Sequence, residues 1–357
     1  MSTPNPGGPR LADFTTLRLG GPAVDLRRTT TTDELIAAVI ECDRAGQPVL
    51  LIAGGSNLVI GDDGFDGTAI LIEGSGVEFG RADGRPFVTA DAGTNWDELV
   101  AQTVQRGFGG LECLAGIPGA AGTTPVQNVG AYGVEVGDLL RGVQLLDRRS
   151  GEIVWVAPEQ LGLAYRTSRL KGNDDEVVLA VSFWLNDAAR SAPIRYRELA
   201  RELGVDEGAS ADAASVRERV LALRASKGMV LDDADQDTWS AGSFFTNPIL
   251  DPAELPGVLD QIRAHVGDDV AIPQFPSAAG VKLSAGWLIE RAGFTRGFPG
   301  ADAPARLSTK HTLALTNRGS ATTADLLALA TTVRDGVAAA FGVTLHPEPV
   351  FIGCRLP

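Results

Sequence analysis

Cysteine is scarce in this sequence: Cys42, Cys113 and Cys354 are the only three in 357 residues. No two of them share the C-x-x-C spacing of zinc sites and redox pairs, which argues against a disulfide framework and a zinc centre and reads the thiols as buried apolar groups. No metal is expected. Histidine is equally sparse, with His265, His311 and His346 alone, and no G-x-S-x-G elbow exists, so serine-hydrolase chemistry is disfavoured. The G-x-G-x-x-G fingerprint of a dinucleotide-binding βαβ unit is also missing. No apolar run is long enough to span a bilayer, and the opening M-S-T-P-N-P-G-G-P-R lacks an apolar signal-peptide core. The expectation is a cytoplasmic protein with no membrane partner. Positive charge is in short supply, 31 Lys and Arg against 45 Asp and Glu, for a net charge of −14. That disfavours nucleic acid as a partner and leaves any anionic ligand to be met by local basic residues.

What is present is a globular composition, 44% hydrophobic and 21% charged, in a chain long enough for two or three domains. Thr31 and Glu34 have capping-box spacing before an apolar-periodic stretch that Gly46 stops, predicting a helix. A strand over Pro48 to Ala53 follows and runs into Gly54, Gly55, Ser56 and Asn57, a strand-then-glycine turn suited to phosphate. Further strands are expected at Thr68–Glu73, Phe87–Ala92, Val143–Asp147, Glu152–Val156, Val177–Leu185 and Thr312–Leu315, and helices at Asn95–Gln105, Ser215–Ser226, Pro252–His265, Ser284–Ala292 and Thr323–Phe341. Asn186–Pro193 reads as a linker or loop mouth, and Val343–Ile352, with two prolines, as a strand at an edge or rim. There is no internal repeat. This is an α+β pattern.

One stretch fits neither helix nor strand. Gly116 to Gly133 reads G-I-P-G-A-A-G-T-T-P-V-Q-N-V-G-A-Y-G, a backbone that turns repeatedly and lets another group approach closely. Its turning N–H groups suit an anion such as a pyrophosphate. With L-I-A-G-G-S-N-L (Leu51–Leu58), Y-R-T-S-R (Tyr165–Arg169), G-S-F-F-T-N-P (Gly242–Pro248) and L-H-P-E-P-V-F-I-G (Leu345–Gly353), it resembles the bacterial UDP-N-acetylenolpyruvoylglucosamine reductases, flavoenzymes of peptidoglycan precursor synthesis. The motifs occur in the family's order. Two departures stand out: Ala53 where many members have a third glycine, and Thr246 where many have a basic residue.

The resemblance implies a two-part FAD-binding domain of the vanillyl-alcohol oxidase (PCMH) type followed by an α+β substrate-binding domain. Residues 1–13 are expected to form a flexible tail, 14–225 the FAD-binding domain with its two parts split near 74, and 226–357 the substrate-binding domain, whose terminal strand near 343–357 returns to the active site. It implies FAD contacts from Gly54, Gly55, Ser56, Asn57 and Leu58, and from Gly116, Ile117, Pro118, Gly119, Gly122, Gln127, Asn128, Gly130, Ala131 and Tyr132. NADPH is the implied hydride donor. Substrate contacts fall to Tyr196, Lys227, Asn247, Lys282 and Glu290, and the protein is expected to be a monomer acting on a small nucleotide sugar.

For the catalytic residues, each implied role stands beside a plainer reading. Ser243, between Gly242 and Phe244, is either a structural serine or, as the resemblance implies, the donor of a proton to the substrate carbon. Glu348, held stiffly between Pro347 and Pro349, is an edge-strand charge or the partner of Arg166 in stabilising an enolic intermediate. Arg166 is the right group to clamp a carboxylate, though lone arginines are usually surface residues. His346 shares the strand face of Glu348 and is read as cover for the core. Two other functions remain open: a flavin oxidase on the same fold, and a nucleotide-sugar-binding protein without turnover.

Overall fold

A computed structural model describes residues 9–357. The described chain divides into two units: Ala23–Gly55 with Phe65–Val230, and Arg10–Pro22 with Ser56–Gly64 and Leu231–Pro357. The chain therefore leaves the first unit at Ser56, re-enters it at Phe65, and leaves it for good at Leu231. Residues 14–22 and 56–64 were expected in the FAD-binding domain and fall in the second unit, while 226–230, expected in the substrate-binding domain, fall in the first. The reason is long-range pairing: Leu58–Ile60 runs parallel to Val350–Ile352, with Leu58 opposite Val350.

The first unit holds two larger sheets and a two-stranded one, Gly130–Ala131 with Val134–Glu135. One has three parallel strands in the order Ala23–Thr29, Phe65–Ile72, Val49–Ile52. The helix Thr32–Arg44 joins the outer two. Its cap differs in detail from a capping box: Thr31 Oγ1 accepts from the Glu34 N–H at 3.2 Å, but Glu34 Oε2 accepts from the N–H of Thr30 at 2.7 Å. Those Thr30 bonds hold the Glu34 carboxyl below its ordinary range. Leu35, Val39 and Cys42 on the inner helix face are buried with Ile70, as a helix laid on an apolar sheet requires.

Between Ile72 and Val77 the chain passes to an antiparallel sheet ordered Ile153–Val156, Leu140–Asp147, Glu176–Trp184, Arg85–Asp91, Val77–Ala82. Against it lies the helix Trp96–Gln105, capped by Asn95, whose Oδ1 accepts from the Glu98 N–H at 3.1 Å. Trp96 is fully buried, donates Nε1–H to the Leu114 carbonyl at 2.8 Å and meets Phe183 edge-on at 5.4 Å. Burying a side chain of this size stabilises by about 2–3 kcal/mol, and its indole N–H is satisfied. Helices Arg197–Leu203 and Ala213–Ser226 complete this unit. Asn186–Pro193 is not a boundary linker: Asn186 exchanges backbone bonds with Gly109, and Ser191 and Ala192 are buried.

The second unit packs helices Leu255–Val266, Ala285–Arg291 and Thr323–Phe341 with short strands around Phe244, Phe245, Leu288, Val333 and Phe341. Thr322 and Asp325 make both arms of a capping box, and Gly342, at φ +68, closes that helix. The expected tail is corrected at its end, since Leu11–Phe14 form a 3-10 turn with Leu11 fully buried; residues 1–8 lie outside the described residues. The expected strand at Thr312–Leu315 is displaced to Leu315–Asn317, paired with Ala305–Leu307. Of Val343–Ile352 only Val350–Ile352 is strand, because Pro347 and Pro349 cannot donate to a ladder. No helix among the described residues is long and apolar enough to cross a membrane.

Candidate active site

In the first unit the two glycine turns meet. A Cβ on Gly54 would stand 2.4 Å from Gly119 Cα, closer than real atoms approach, so the turns touch through bare backbone. The long loop is fixed at several points: Gly119 O accepts from the Trp96 N–H at 3.1 Å, and Ala121 and Gly122 donate to the Thr94 and Ala92 carbonyls at 2.8 and 2.9 Å. Its entry is held by Asp97, whose Oδ1 accepts from the Gly116 N–H at 2.6 Å while Oδ2 accepts from Arg217 Nη2 at 2.7 Å. Sequence reading missed this bracket, because an acidic residue in a first helical turn looks like ordinary helix chemistry. Among the described residues, the N–H groups of Gly54, Gly55 and Gly119 donate to no protein acceptor. Bare, turning backbone with N–H groups to spare fits a pyrophosphate, and so fits FAD.

Beyond Gly122 the loop's side chains face different tasks. Asn128 is buried, with φ +46; its Nδ2 donates to Glu135 Oε2 at 2.9 Å and to the Ala164 carbonyl at 3.1 Å, and its Oδ1 accepts from the Gly137 N–H at 2.9 Å. The side chain expected to face FAD is thus a strut within the loop. Tyr132 and Gly133, at φ +51 and +80, turn the chain between Gly130–Ala131 and Val134–Glu135 in the manner of a tight hairpin. The Tyr132 ring meets Tyr196 edge-on at 5.2 Å. Burial pushes the Tyr132 phenol up to about 12, so it stays protonated at neutral pH.

The motif Tyr165–Arg169 is stitched to this loop. Arg166 Nη2 donates to the Gly130 carbonyl at 2.6 Å, Ser168 Oγ to Val126 at 2.7 Å, and Asn128 supplies the third bond, to Ala164. Arg166 sits at φ +55, uncommon for a side-chain-bearing residue, and Glu135 Oε1 lies 3.9 Å from its Nη1. Backbone held in this region is paid for by its surroundings and gathers at functional sites; Asn128, Tyr132 and Arg166 all show it. Lys227, at the end of the helix Ala213–Ser226, donates Nζ–H to Glu198 Oε2 at 3.0 Å, two residues beyond Tyr196.

In the second unit, Ser243 lies between Gly242, at φ +71, and two fully buried phenylalanines. The Phe244 N–H donates to the Leu313 carbonyl at 2.8 Å, and Thr246 donates to the His346 carbonyl at 3.0 Å. Glu348 donates its N–H to the Phe244 carbonyl at 2.9 Å, which brings Ser243 and Glu348 onto neighbouring antiparallel segments. Asn57 flanks the other side: its carbonyl accepts from the Val350 N–H at 2.9 Å, and Nδ2 reaches the Glu348 carbonyl at 3.5 Å. The turn residues Ser56, Asn57 and Leu58 therefore belong with Glu348, whereas Gly54 and Gly55 belong with the first unit. His346 is exposed and does not cover the core, since its segment lacks the strand ladder on which a shared face with Glu348 depends.

Among the substrate candidates here, Asn247 Oδ1 accepts from the Ala285 N–H at 2.9 Å, leaving its amide N–H groups for a ligand. Lys282 stands opposite Ile249, which follows Asn247 by two residues, in an antiparallel pair. Glu290 is exposed at the end of Ala285–Arg291, where it accepts from Thr312 Oγ1 at 3.3 Å and lies 4.0 Å from Arg296; Thr312 precedes Leu313, whose carbonyl accepts from the Phe244 N–H.

Comparison with known proteins adds to this geometry. Residues 26–157 match a family described as FAD binding domain, and residues 233–352 one described as UDP-N-acetylenolpyruvoylglucosamine reductase, C-terminal domain. The chain is 65% identical over 347 residues to a Nocardia farcinica protein named UDP-N-acetylenolpyruvoylglucosamine reductase, covering 97% of this chain and 89% of that one. A Saccharopolyspora erythraea protein of the same name is 59% identical, covering 98% and 96%. Among solved structures, the reductase of that name from Thermus caldophilus superposes with a TM-score of 0.65 at 26% identity, over 96% of this chain and 97% of that one.

Proposed function

The chain belongs to the UDP-N-acetylenolpyruvoylglucosamine reductase family, and from that membership we infer its reaction: NADPH-dependent reduction of the enolpyruvyl group of UDP-N-acetylglucosamine enolpyruvate to UDP-N-acetylmuramate, in peptidoglycan precursor synthesis. Bound FAD supplies the hydride relay, from NADPH to the vinyl ether of the substrate. The observation that carries the cofactor assignment to particular residues is the contact of Gly54 with Gly119, which leaves backbone N–H groups bare on both turns. Gly54, Gly55 and Gly119 would hold the pyrophosphate through their backbone N–H groups, while Asn128, Asp97 through the Gly116 N–H, and Gly122 through the Ala92 carbonyl hold the loop in shape.

Reduction adds one hydride and one proton across the carbon–carbon double bond. The chain must supply that proton and stabilise the charge that hydride addition drives into the enolpyruvyl carboxylate. Arg166, its guanidinium fixed on the Gly130 carbonyl, is assigned to the carboxylate; its planar fork suits two parallel bonds to that group. Ser243 is assigned the proton, and Glu348, beside it in the second unit, would as the neutral carboxylic acid donate a hydrogen bond to the developing enolic charge. Tyr196, Lys227, Asn247 and Lys282 are assigned to the nucleotide sugar. In this reading the protein acts as a cytoplasmic monomer, and its net charge of −14 disfavours nucleic acid as a partner.

Colour is the first test. Purified protein should be yellow, bleach with NADPH under nitrogen, and regain its absorbance when the enolpyruvyl substrate is added. A colourless protein would leave only a nucleotide-sugar binder, and recovery that needs oxygen and releases hydrogen peroxide would make it an oxidase.

A further inference from the structure

Lys227 reaches a carboxylate that no part of the reaction requires. Its Nζ lies 3.0 Å from Glu198 Oε2, with the two side chains 34% and 36% exposed. Glu198 sits in the first turn of Arg197–Leu203, where the helix N-terminus favours an acid, and Lys227 caps Ala213–Ser226, which packs against it. Tyr196 begins the same short helix and holds its ring against Tyr132. Around it the sequence I-R-Y-R-E places Arg195 and Arg197, which approach their own carboxylates only at 4.0 Å (Asp138) and 3.8 Å (Glu207). Each of these three cations has a carboxylate within 4.0 Å, and Lys227–Glu198 is the tight pair among them.

We propose that Glu198 is an electrostatic placeholder: it holds the Lys227 ammonium in place in the free enzyme and yields it to the diphosphate of the incoming substrate. This rests on the assignment of Lys227 to the diphosphate. Two opposing effects follow. A lysine already held extended has less rotamer freedom to lose when it binds, which favours the substrate. Against this, the carboxylate competes for the ammonium and then remains beside a doubly charged diphosphate, which opposes binding. The second effect wins, because like-charge repulsion is added to the loss of the pair, but exposure of about one-third keeps the difference small. Glu198 is thus a positioning residue that sets substrate affinity through Lys227, without touching the reacting atoms.

The holoenzyme tests this through the Michaelis constant for the UDP substrate. Glu198→Gln keeps the shape and removes the charge; it should lower that KM about two- to fivefold, the factor matching an exposed pair, while kcat and the KM for NADPH stay within about twofold. Raising the salt concentration should shrink the difference. Lys227→Gln should raise the substrate KM, and in that background Glu198→Gln should lose most of its effect. An unchanged or raised KM in Glu198→Gln, alongside a raised KM in Lys227→Gln, would overturn the placeholder and leave the diphosphate assignment standing. The same fall in KM with and without Lys227 would equally overturn it, showing a general charge effect. A normal KM in Lys227→Gln would instead remove the diphosphate assignment, and the placeholder with it.

Discussion

The backbone N–H of Glu348 donates to the carbonyl of Phe244 at 2.9 Å, so the residue assigned the enolic charge is tied to the one that follows the residue assigned the proton. The two side chains therefore stand on one rigid frame, and their roles separate kinetically. NADPH reduces the flavin without needing the Ser243 proton. In Ser243→Ala the reductive half-reaction should run at close to the parental rate, while reoxidation by the enolpyruvyl substrate slows by roughly 10² to 10⁴, the range for losing a positioned general acid. Stopped-flow flavin absorbance resolves the halves. Equal impairment of both, or of neither, would make Ser243 structural and move the proton elsewhere, to Glu348 first.

The contact of Gly54 with Gly119 makes the cofactor assignment testable without turnover. Gly119 has φ +132, where any side chain is strained, and Gly54 packs so close to its Cα that the two turns leave no slack for the backbone to adjust. Gly119→Val should purify folded, by circular dichroism, but depleted of FAD. Gly46→Ala serves as the control: its φ is +64, yet a Cβ there meets nothing within 4 Å, so it shares the backbone cost without the crowding. Full flavin content in Gly119→Val would remove this loop from the cofactor site.

How far these features could be read from sequence depends on how local they are. The caps at Thr31, Asn95, Ser284 and Thr322 each involve a side chain and an N–H a few residues on, and their helices stand where the pattern puts them. The transfer of residues 56–64 to the second unit turns on pairing of Leu58–Ile60 with Val350–Ile352, and no local pattern records a partner so distant in the chain. Burial does alternate from Phe341 to His346 as a strand would, yet without a ladder, which shows that alternation reports a half-buried extended chain and not its bonding. Asn128 illustrates a chemical limit: an amide between two turns looks the same whether it binds a cofactor or, as here, its own loop. The pairing of Lys227 with Glu198 is hidden for the same reason, since either residue alone reads as a solvated charge.

The frame that carries Ser243 has its own electrostatic anchor in Asp237, which is 8% exposed in the segment leading to Gly242. Burial opposes its charge, but the Thr309 N–H donates to it at 3.0 Å, the Thr309 hydroxyl also donates, and Arg318 Nη1 lies at 2.9 Å; together these hold its carboxyl below the ordinary value. A depressed acid stabilises the fold at pH values above its unfolded pKa of about 3.9, and that contribution disappears as pH falls through the folded value. Asp237→Asn keeps the volume but leaves Arg318 without its charge partner, a change costing on the order of 3 kcal/mol for a nearly buried pair. Urea midpoints of parent and variant should therefore differ most above about pH 5 and converge only as pH falls below about 3.9 through the depressed folded value, as the parent loses what the variant never had. Because Asp237 anchors the segment that runs through Thr238 to Gly242 into Ser243, the variant should also slow substrate-driven flavin reoxidation while leaving reduction by NADPH unchanged. A stability difference that does not vary with pH would show that Asp237 acts through its shape and neutral hydrogen bonds, not through its charge.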